Sequence, residues 1–192
     1  MSLIFVTGIP ESGRDSIVKM VLSGSKKNLP SFEYIRFDDL VSYDVDKKSE
    51  ELDLWSFSKR IEHMHKIQRD FYRNLKKKVD SLKDKENHII VNGYFTLRTP
   101  SGYLPTLSNQ SVKFFKPDVI VIIDVDLDNP EILVKFGKER VRELKYHQDI
   151  NLKCAVSYST LTRSAINVVR VEYGNLKDAL KEMTDVITLA LQ

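Results

Sequence analysis

The stretch Phe5-Val6-Thr7-Gly8-Ile9-Pro10-Glu11-Ser12-Gly13-Arg14-Asp15-Ser16 decides the fold of this 192-residue chain. It starts in an apolar run typical of a buried strand, turns between two glycines, and then begins a helical pattern. A strand, a glycine loop and a helix start form a phosphate cradle, because loop N–H groups and the positive end of the helix dipole attract anions. We therefore predict that phosphate groups bind here. The predicted binding residues are Gly8, Ile9, Pro10, Glu11, Ser12, Gly13, Arg14, Asp15 and Ser16.

The two glycines have the spacing of the phosphate-loop pattern G-x-x-x-x-G-K-[ST], but the end of the loop departs from that pattern. Arg14 stands at the lysine position, where a cation caps the outer phosphates. Asp15 stands at the Ser/Thr position, and Ser16 follows it. The frame of the loop is thus intact while its chemical end is altered. The alternative interpretation is an ordinary strand–turn–helix unit with two incidental glycines.

Composition predicts a single domain over residues 1–192, because a chain of this length can bury a sizeable core. The formal net charge of +3 is too small to argue for a nucleic-acid partner. Cys154 is the only cysteine, which excludes an internal disulfide and fits a reducing, cytoplasmic environment. No apolar run reaches the ~18 residues of a membrane helix, and the first predicted strand leaves no room for a signal peptide. We therefore expect no membrane partner.

Five apolar or β-branched runs alternate with helical patterns along the chain. The predicted strands are residues 3–6, 32–37, 88–91, 119–124 and 166–171. The fourth run is continuously β-branched and apolar, as expected of a central parallel strand that is buried on both faces. This alternation predicts an α/β fold of three layers, with a five-stranded parallel sheet and helices on both faces. With the glycine loop after its first strand, the predicted arrangement resembles the P-loop NTPase fold.

Further candidate ligand groups follow the second and third strands. Asp38 and Asp39 end the second strand, where they either cap the next helix or contact a ligand. The run Arg98-Thr99-Pro100-Ser101-Gly102-Tyr103-Leu104-Pro105 follows the third strand and combines a cation with two prolines and a glycine. We interpret it as a stiff binding loop, with a structural turn as the alternative. Between these groups, residues 40–60 are largely polar and are predicted to be mobile.

Two segments are rich in lysine and arginine. The helical pattern over residues 55–82 carries a basic surface, which we interpret as a solvated helix face rather than a nucleic-acid site. A later helix is predicted to begin at Pro130, and its pattern breaks over residues 146–150. The cationic segment 135–152 is typical of a lid that closes over phosphates, although solvated helix ends have the same composition. Its cations are Lys135, Lys138, Arg140, Arg142 and Lys145.

At these residues the chain resembles the archaeal-type adenylate kinases, a branch of the P-loop nucleoside monophosphate kinases. The most specific match is the run from Arg98 to Pro105, which is similar to the family's [KR]-T-P-x-G-Y-L-P. The opening Val6-Thr7-Gly8-Ile9-Pro10, the pair Pro117-Asp118 and the stretch 158–162 also resemble that family. The resemblance implies ATP and AMP sites that face each other, Mg²⁺ and a homotrimer.

The resemblance also implies roles for particular residues. The phosphate loop would cradle ATP, and Asp15 and Ser16 would ligate Mg²⁺. Arg98 would hold the AMP phosphate, with Asp39, Gly102 and Tyr103 as further substrate-binding candidates. The candidate catalytic cations are Arg14, Arg98, Lys138, Arg140 and Arg142.

Four departures from the family pattern lie where the chemistry takes place. Glu11 replaces the usual glycine, Arg14 the lysine, Asp15 the metal-binding hydroxyl and Asn92 an aspartate. We therefore expect phosphoryl transfer from ATP to a nucleoside monophosphate, AMP above all, with weakened catalysis. Two alternatives remain open: a catalytically impaired nucleotide-binding or regulatory protein, and a P-loop phosphotransferase with another acceptor.

Overall fold

The computed structural model describes residues 2–24, 31–41, 57–82, 88–99 and 102–191. Most of the segment predicted to be mobile, and the Pro100-Ser101 part of the predicted binding loop, lie outside these residues. The strands are β1 (Leu3–Gly8), β2 (Phe32–Arg36), β3 (His88–Gly93), β4 (Thr96–Thr99), β5 (Gly102–Pro105), β6 (Val119–Val125) and β7 (Ala165–Val171). The helices are α1 (Arg14–Gly24), α2 (Phe37–Leu40), α3 (Phe57–Asp80), α4 (Asn109–Phe114), α5 (Pro130–Phe136), α6 (Lys138–Thr162) and α7 (Lys177–Leu189).

Five strands form one parallel sheet in the order β2-β3-β1-β6-β7, which confirms the predicted sheet and its strand positions. The central strand β1 pairs with β3 on one side and with β6 on the other, so Val6 lies between Asn92 and Val121. Ligands of open α/β sheets bind beyond the carboxyl ends of such strands. The phosphate loop leaves β1 at that edge.

Alternate residues of β1 point to opposite faces of the sheet and enter two separate cores. Leu3 and Phe5 pack with α3 and part of α6, whereas Ile4 and Val6 pack with α1 and α7. Since both faces are covered, β1 is apolar at successive positions and lacks the polar alternation of a half-exposed strand. The helices on both faces confirm the three-layer arrangement. Among the described helices, none has the length and apolarity that a bilayer span requires.

The run after β3 forms an antiparallel hairpin, where the sequence predicted a loop. Arg98 pairs with Tyr103, and Thr96 pairs with Pro105. The base of the hairpin is fixed by the backbone N–H of Thr106, which donates to the carbonyl of Phe95 at 3.0 Å. The two strands have four residues each, which is too short for a clear alternating pattern in the sequence.

The cationic segment 135–152 also differs from its prediction, since α6 is one continuous helix through residues 146–150. The apolar pattern is interrupted there because a polar residue, His147, occupies a buried position. The actual break lies earlier, at Gly137, whose φ of 77° ends α5 and starts α6. The helix α5 begins at Pro130, as predicted. The Asn129 side chain caps it by accepting from the Glu131 N–H.

The fold predicts a large cost for truncating β1. Phe5 is fully buried, and its ring stacks on Phe95 with the centroids 4.7 Å apart. Replacing it with alanine leaves a cavity, so Phe5→Ala should lower the free energy of unfolding by about 3–5 kcal/mol in urea titrations. The control is Val134→Ala, which truncates an 88% exposed apolar side chain and should change stability by less than ~0.5 kcal/mol. Similar losses from both variants would contradict the packing described here.

Candidate active site

The phosphate loop is a tight turn packed against the sheet. A Cβ at Gly8 would lie 2.9 Å from the Ser12 hydroxyl and 3.2 Å from Ile123, so only glycine fits there. Glu11 has a φ of 68°, in the left-handed region that favours glycine, and it nevertheless carries an exposed carboxylate. The Ser12 hydroxyl is buried and accepts or donates no hydrogen bond within the described protein. The loop therefore keeps the compact shape of a cradle and adds one negative charge.

Arg14 is buried under the loop, and its guanidinium donates hydrogen bonds to backbone carbonyl groups. One nitrogen donates to the Gly93 carbonyl at 2.6 Å and to the Gly8 carbonyl at 3.3 Å. The guanidinium also lies over the Tyr94 ring, 4.1 Å from its centroid. Sequence reasoning placed this cation on the outer phosphates, but here it joins the carboxyl ends of β1 and β3.

Asp15, at the start of α1, lies in a cluster with Arg14, Arg36 and Asn92, which we call the Asp15 cluster. The Asn92 amide donates to one carboxylate oxygen, and Arg36 Nε lies 3.2 Å from the other. Arg14 adds a second guanidinium 3.6 Å from the first oxygen. The Asn92 amide also donates to the Tyr34 hydroxyl at 2.6 Å. One carboxylate oxygen of Asp15 thus accepts from Asn92, and the other is in ion-pair contact with Arg36, whose Nε makes no hydrogen bond within the described protein.

The predicted metal ligands do not fit an open Mg²⁺ site in this arrangement. Mg²⁺ requires oxygen ligands that are free to bind it, and Asp15 is paired with two guanidinium groups. Ser16 is exposed on the first turn of α1. In the described part of the chain, no group of three or more His, Cys, Asp or Glu residues could hold a metal. We therefore assign no chemical step to a metal at this site.

A second set of charges connects the phosphate loop to the hairpin, and we call it the Glu143 chain. Glu11 of the loop lies 2.8 Å from Arg140 of α6. Glu143, one turn further along α6, lies 3.3 Å from Arg140 and 2.7 Å from Arg98 of β4. The pKa of Arg140 is raised above its ordinary value, chiefly by its hydrogen bond to Glu11. Carboxylates therefore link two of the predicted catalytic cations, Arg140 and Arg98.

Side chains next to the Glu143 chain hold the hairpin against α6. His147 Nε2 lies 3.2 Å from both the carbonyl and the hydroxyl oxygen of Thr96. The imidazole also packs on the Tyr103 ring, with the centroids 4.9 Å apart. Burial lowers the pKa of His147, so the ring is neutral near pH 7. This contact fixes the position of Arg98 relative to α6.

A small apolar cluster holds the start of α6 near the phosphate loop. Ile9 of the loop packs with Val141 and Leu144 of α6, with Leu127 before α5 and with Ile132 within α5. Arg140 and Glu143 alternate with these apolar residues along the helix. Burial of the apolar side chains therefore leaves the charged side chains facing the loop. Arg140 is the predicted lid cation that contacts Glu11 of the loop.

The other predicted residues are less closely assembled. Lys138 and Arg142 are exposed, and neither makes an ion pair with a described residue. Lys135 lies over the rings of Phe136 and Tyr173, at 5.0 and 5.4 Å. Asp39 is exposed within α2, after the end of β2, and Gly102 begins β5 with a φ of 119°.

Sequence reasoning missed three residues of the site. Arg36, Glu143 and His147 each contact a predicted site residue. Arg36 ends β2 two residues before Asp38, so its place at a strand's carboxyl end was the available signal. No comparable signal marks Glu143 or His147, because their partners are distant along the chain.

The chain is similar to archaeal adenylate kinases along almost its whole length. The chain is 28% identical to the adenylate kinase of Pyrococcus furiosus, over 98% of this chain and 96% of that protein. It is 26% identical to the adenylate kinase of Methanopyrus kandleri, over 96% and 97% respectively. These relatives confirm the resemblance to archaeal adenylate kinases.

The fold and the family are shown by two further comparisons. The solved structure of thymidylate kinase from Candida albicans shares the fold with a TM-score of 0.54 at 14% identity, over 98% of this chain and 91% of that one. A family described as an AAA domain matches residues 7–152, from the end of β1 through the Glu143 chain to the middle of α6. Because this match spans more than half of the sequence, the chain belongs to the AAA domain family.

Proposed function

We propose that the chain is a nucleoside monophosphate kinase that transfers the γ-phosphoryl group of ATP to AMP. The observation that carries this proposal is the Glu143 chain, which brings Arg98 and Arg140 to opposite ends of one carboxylate in front of the phosphate loop. With this placement, one cation can bind a phosphate of the donor nucleotide and the other the phosphate of the acceptor. The similarity to archaeal adenylate kinases supports the same assignment.

In the proposed reaction, an oxygen of the acceptor monophosphate attacks the γ-phosphorus of ATP. The bond from that phosphorus to the bridging oxygen breaks, and ADP leaves. Positioning and charge neutralisation account for most of this catalysis. The loop N–H groups hold the donor phosphates, Arg140 neutralises the transferred group, and Arg98 holds the acceptor phosphate. Lys138 and Arg142 are further lid cations in this proposal.

Ion-pair strength decides which cations a substrate can recruit. The pairs of the Glu143 chain are about one-third exposed or more, and such pairs contribute only ~0–1 kcal/mol. A phosphate can therefore displace Glu11 and Glu143 from their arginines. Arg14, by contrast, is buried with backbone partners, and freeing it would leave carbonyl groups unsatisfied. We infer that Arg14 supports the loop and contributes only a long-range charge to catalysis.

Competition from these carboxylates is the physical reason to propose weakened catalysis. Each substrate phosphate has to replace an internal anion before it reaches Arg98 or Arg140. The second candidate function, a nucleotide-binding or regulatory protein with little turnover, is favoured by the engaged state of Asp15. A phosphotransferase with a different acceptor is the third. The adenylate kinase resemblance further leads us to propose one domain, with residues 135–152 as its lid, and a homotrimer.

The function is tested by coupled turnover with ATP and each of the four nucleoside monophosphates. We expect AMP to be the best acceptor, with a kcat below the enzyme median of roughly 10 per second. A variant that lacks both bridged cations, Arg98→Ala/Arg140→Ala, serves as the inactive control. Nucleotide binding without turnover on any acceptor would support the regulatory alternative instead.

Removal of the loop carboxylate should strengthen donor binding. In Glu11→Gly, Arg140 loses its loop partner and the phosphates lose a repulsive neighbour, so Kd for ATP should fall about fivefold, or ~1 kcal/mol. Isothermal titration calorimetry measures this change. Glu11→Gln separates charge from backbone effects, and Asp128→Asn removes a carboxylate that pairs with Lys145. An unchanged Kd in both Glu11 variants would show that this carboxylate does not face the donor.

Arg98 should contribute to acceptor binding alone. Arg98→Ala removes a charge-assisted contact, so AMP affinity should fall on the order of 10- to 100-fold while ATP affinity stays nearly constant. Lys153→Ala is the matched control, because Lys153 is on the same helix as Glu143 and pairs with Asp149 rather than with a predicted site residue. An equal loss of affinity for both nucleotides would assign Arg98 a structural role.

A further inference from the structure

The Asp15 cluster extends to a second carboxylate and is balanced in charge. Arg36 lies 3.2 Å from Asp15 through Nε and 3.0 Å from Asp38 through a terminal nitrogen. Two carboxylates and the guanidinium groups of Arg14 and Arg36 therefore meet at the carboxyl edge of β2 and β3. This is the place beside the phosphate loop where the fold family implies a divalent metal.

Arg36 is positioned for this place by the sheet itself. It pairs in register with Asn92, which in turn pairs with Val6 of β1, so all three lie in one row across the sheet. Burial would lower the pKa of Arg36, but Asp15 and the hydrogen bond to Asp38 raise it above its ordinary value. The side chain is still 35% exposed, so it can also contact a ligand in the cleft.

A metal ion would have to compete with this built-in cation. Mg²⁺ loses its hydration water reluctantly and needs oxygen ligands in a near-octahedral set. To ligate Asp15, it would have to displace Arg36 from one carboxylate oxygen or the Asn92 amide from the other. Arginine is always charged and presents a planar fork that matches phosphate oxygens. The cluster thus supplies positive charge and donors where a metal would otherwise bring them.

We propose that Arg36 takes the place of the divalent metal beside the phosphate loop, so that this chain binds nucleoside triphosphates without Mg²⁺. The inference rests on the proposed nucleotide binding, and it adds a residue and a metal independence that the function alone does not require. Arg36 is a binding residue here, since its remaining nitrogen, Nη1, contacts the phosphate chain while Asp15 and Asp38 hold its other edge.

Calorimetric titration of the full chain with ATP, once with EDTA and once with saturating Mg²⁺, tests this inference. We expect the two Kd values to agree within about threefold, because coupling between metal and nucleotide is weak. Binding that occurs only with Mg²⁺ would overturn the inference and leave the proposed function intact. Absence of binding in both buffers would overturn the two together.

Variants of the cluster identify the residue responsible. Arg36→Gln should weaken metal-free ATP binding at least tenfold and make binding depend on Mg²⁺, because Asp15 and Asp38 become available as ligands. Arg170→Gln is the matched control, since Arg170 is also on an edge strand and lies 3.9 Å from Asp124. Equal affinities of Arg36→Gln and the parent chain in EDTA would overturn the assignment.

A second variant keeps the test decisive if Arg36→Gln fails to fold. Asp15→Asn removes the carboxylate that holds Arg36 and leaves the side-chain shape almost unchanged. With Arg36 free to contact phosphate, metal-free ATP affinity should rise severalfold, and circular dichroism confirms the fold. If Arg36 is not a phosphate ligand and Asp15 binds the metal, Asp15→Asn should instead abolish a Mg²⁺-dependent part of the affinity.

Discussion

The buried guanidinium of Arg14 fixes the geometry on which the site depends. It bonds to the carbonyl groups of Gly8 and Gly93, which end the two neighbouring strands β1 and β3. Removing a cation from water is expensive unless hydrogen bonds and nearby charges compensate it, and here two carbonyls, an aromatic face and Asp15 do so. The phosphate loop and the segment leading to the hairpin are therefore tied at one point. The positions of the other cleft residues depend on that link.

Around this fixed cation, three arginines of the cleft pair with carboxylates of the protein. Glu11 and Glu143 neutralise Arg140 and Arg98, and Asp15 and Asp38 neutralise Arg36. The two sets differ in the elements that they connect. The Glu143 chain spans separate elements that a substrate can part, whereas the Asp15 cluster joins neighbouring strands and a helix start. We infer that charge exchange on binding takes place mainly in the former.

Local patterns predicted the elements well, and tertiary partners were the part they could not supply. The β-branched runs located all five strands of the parallel sheet, and the glycine spacing located the loop. The hairpin was missed because its strands are short and contain glycine and proline, which are also typical of loops. The expected helix break at 146–150 was wrong because His147 is polar yet buried. Likewise, the inward position of Arg14 depends on Gly93, 79 residues away.

The backbone at Glu11 has a consequence for how this sequence can change over generations. Its φ of 68° is already the conformation that glycine adopts freely, so the loop needs no rearrangement to accept glycine there. Glutamate codons differ from glycine codons by a single base. The distance between the present loop and one without the carboxylate is thus one mutational step, with no intermediate that misfolds. Selection can therefore test either form of the loop at little structural risk.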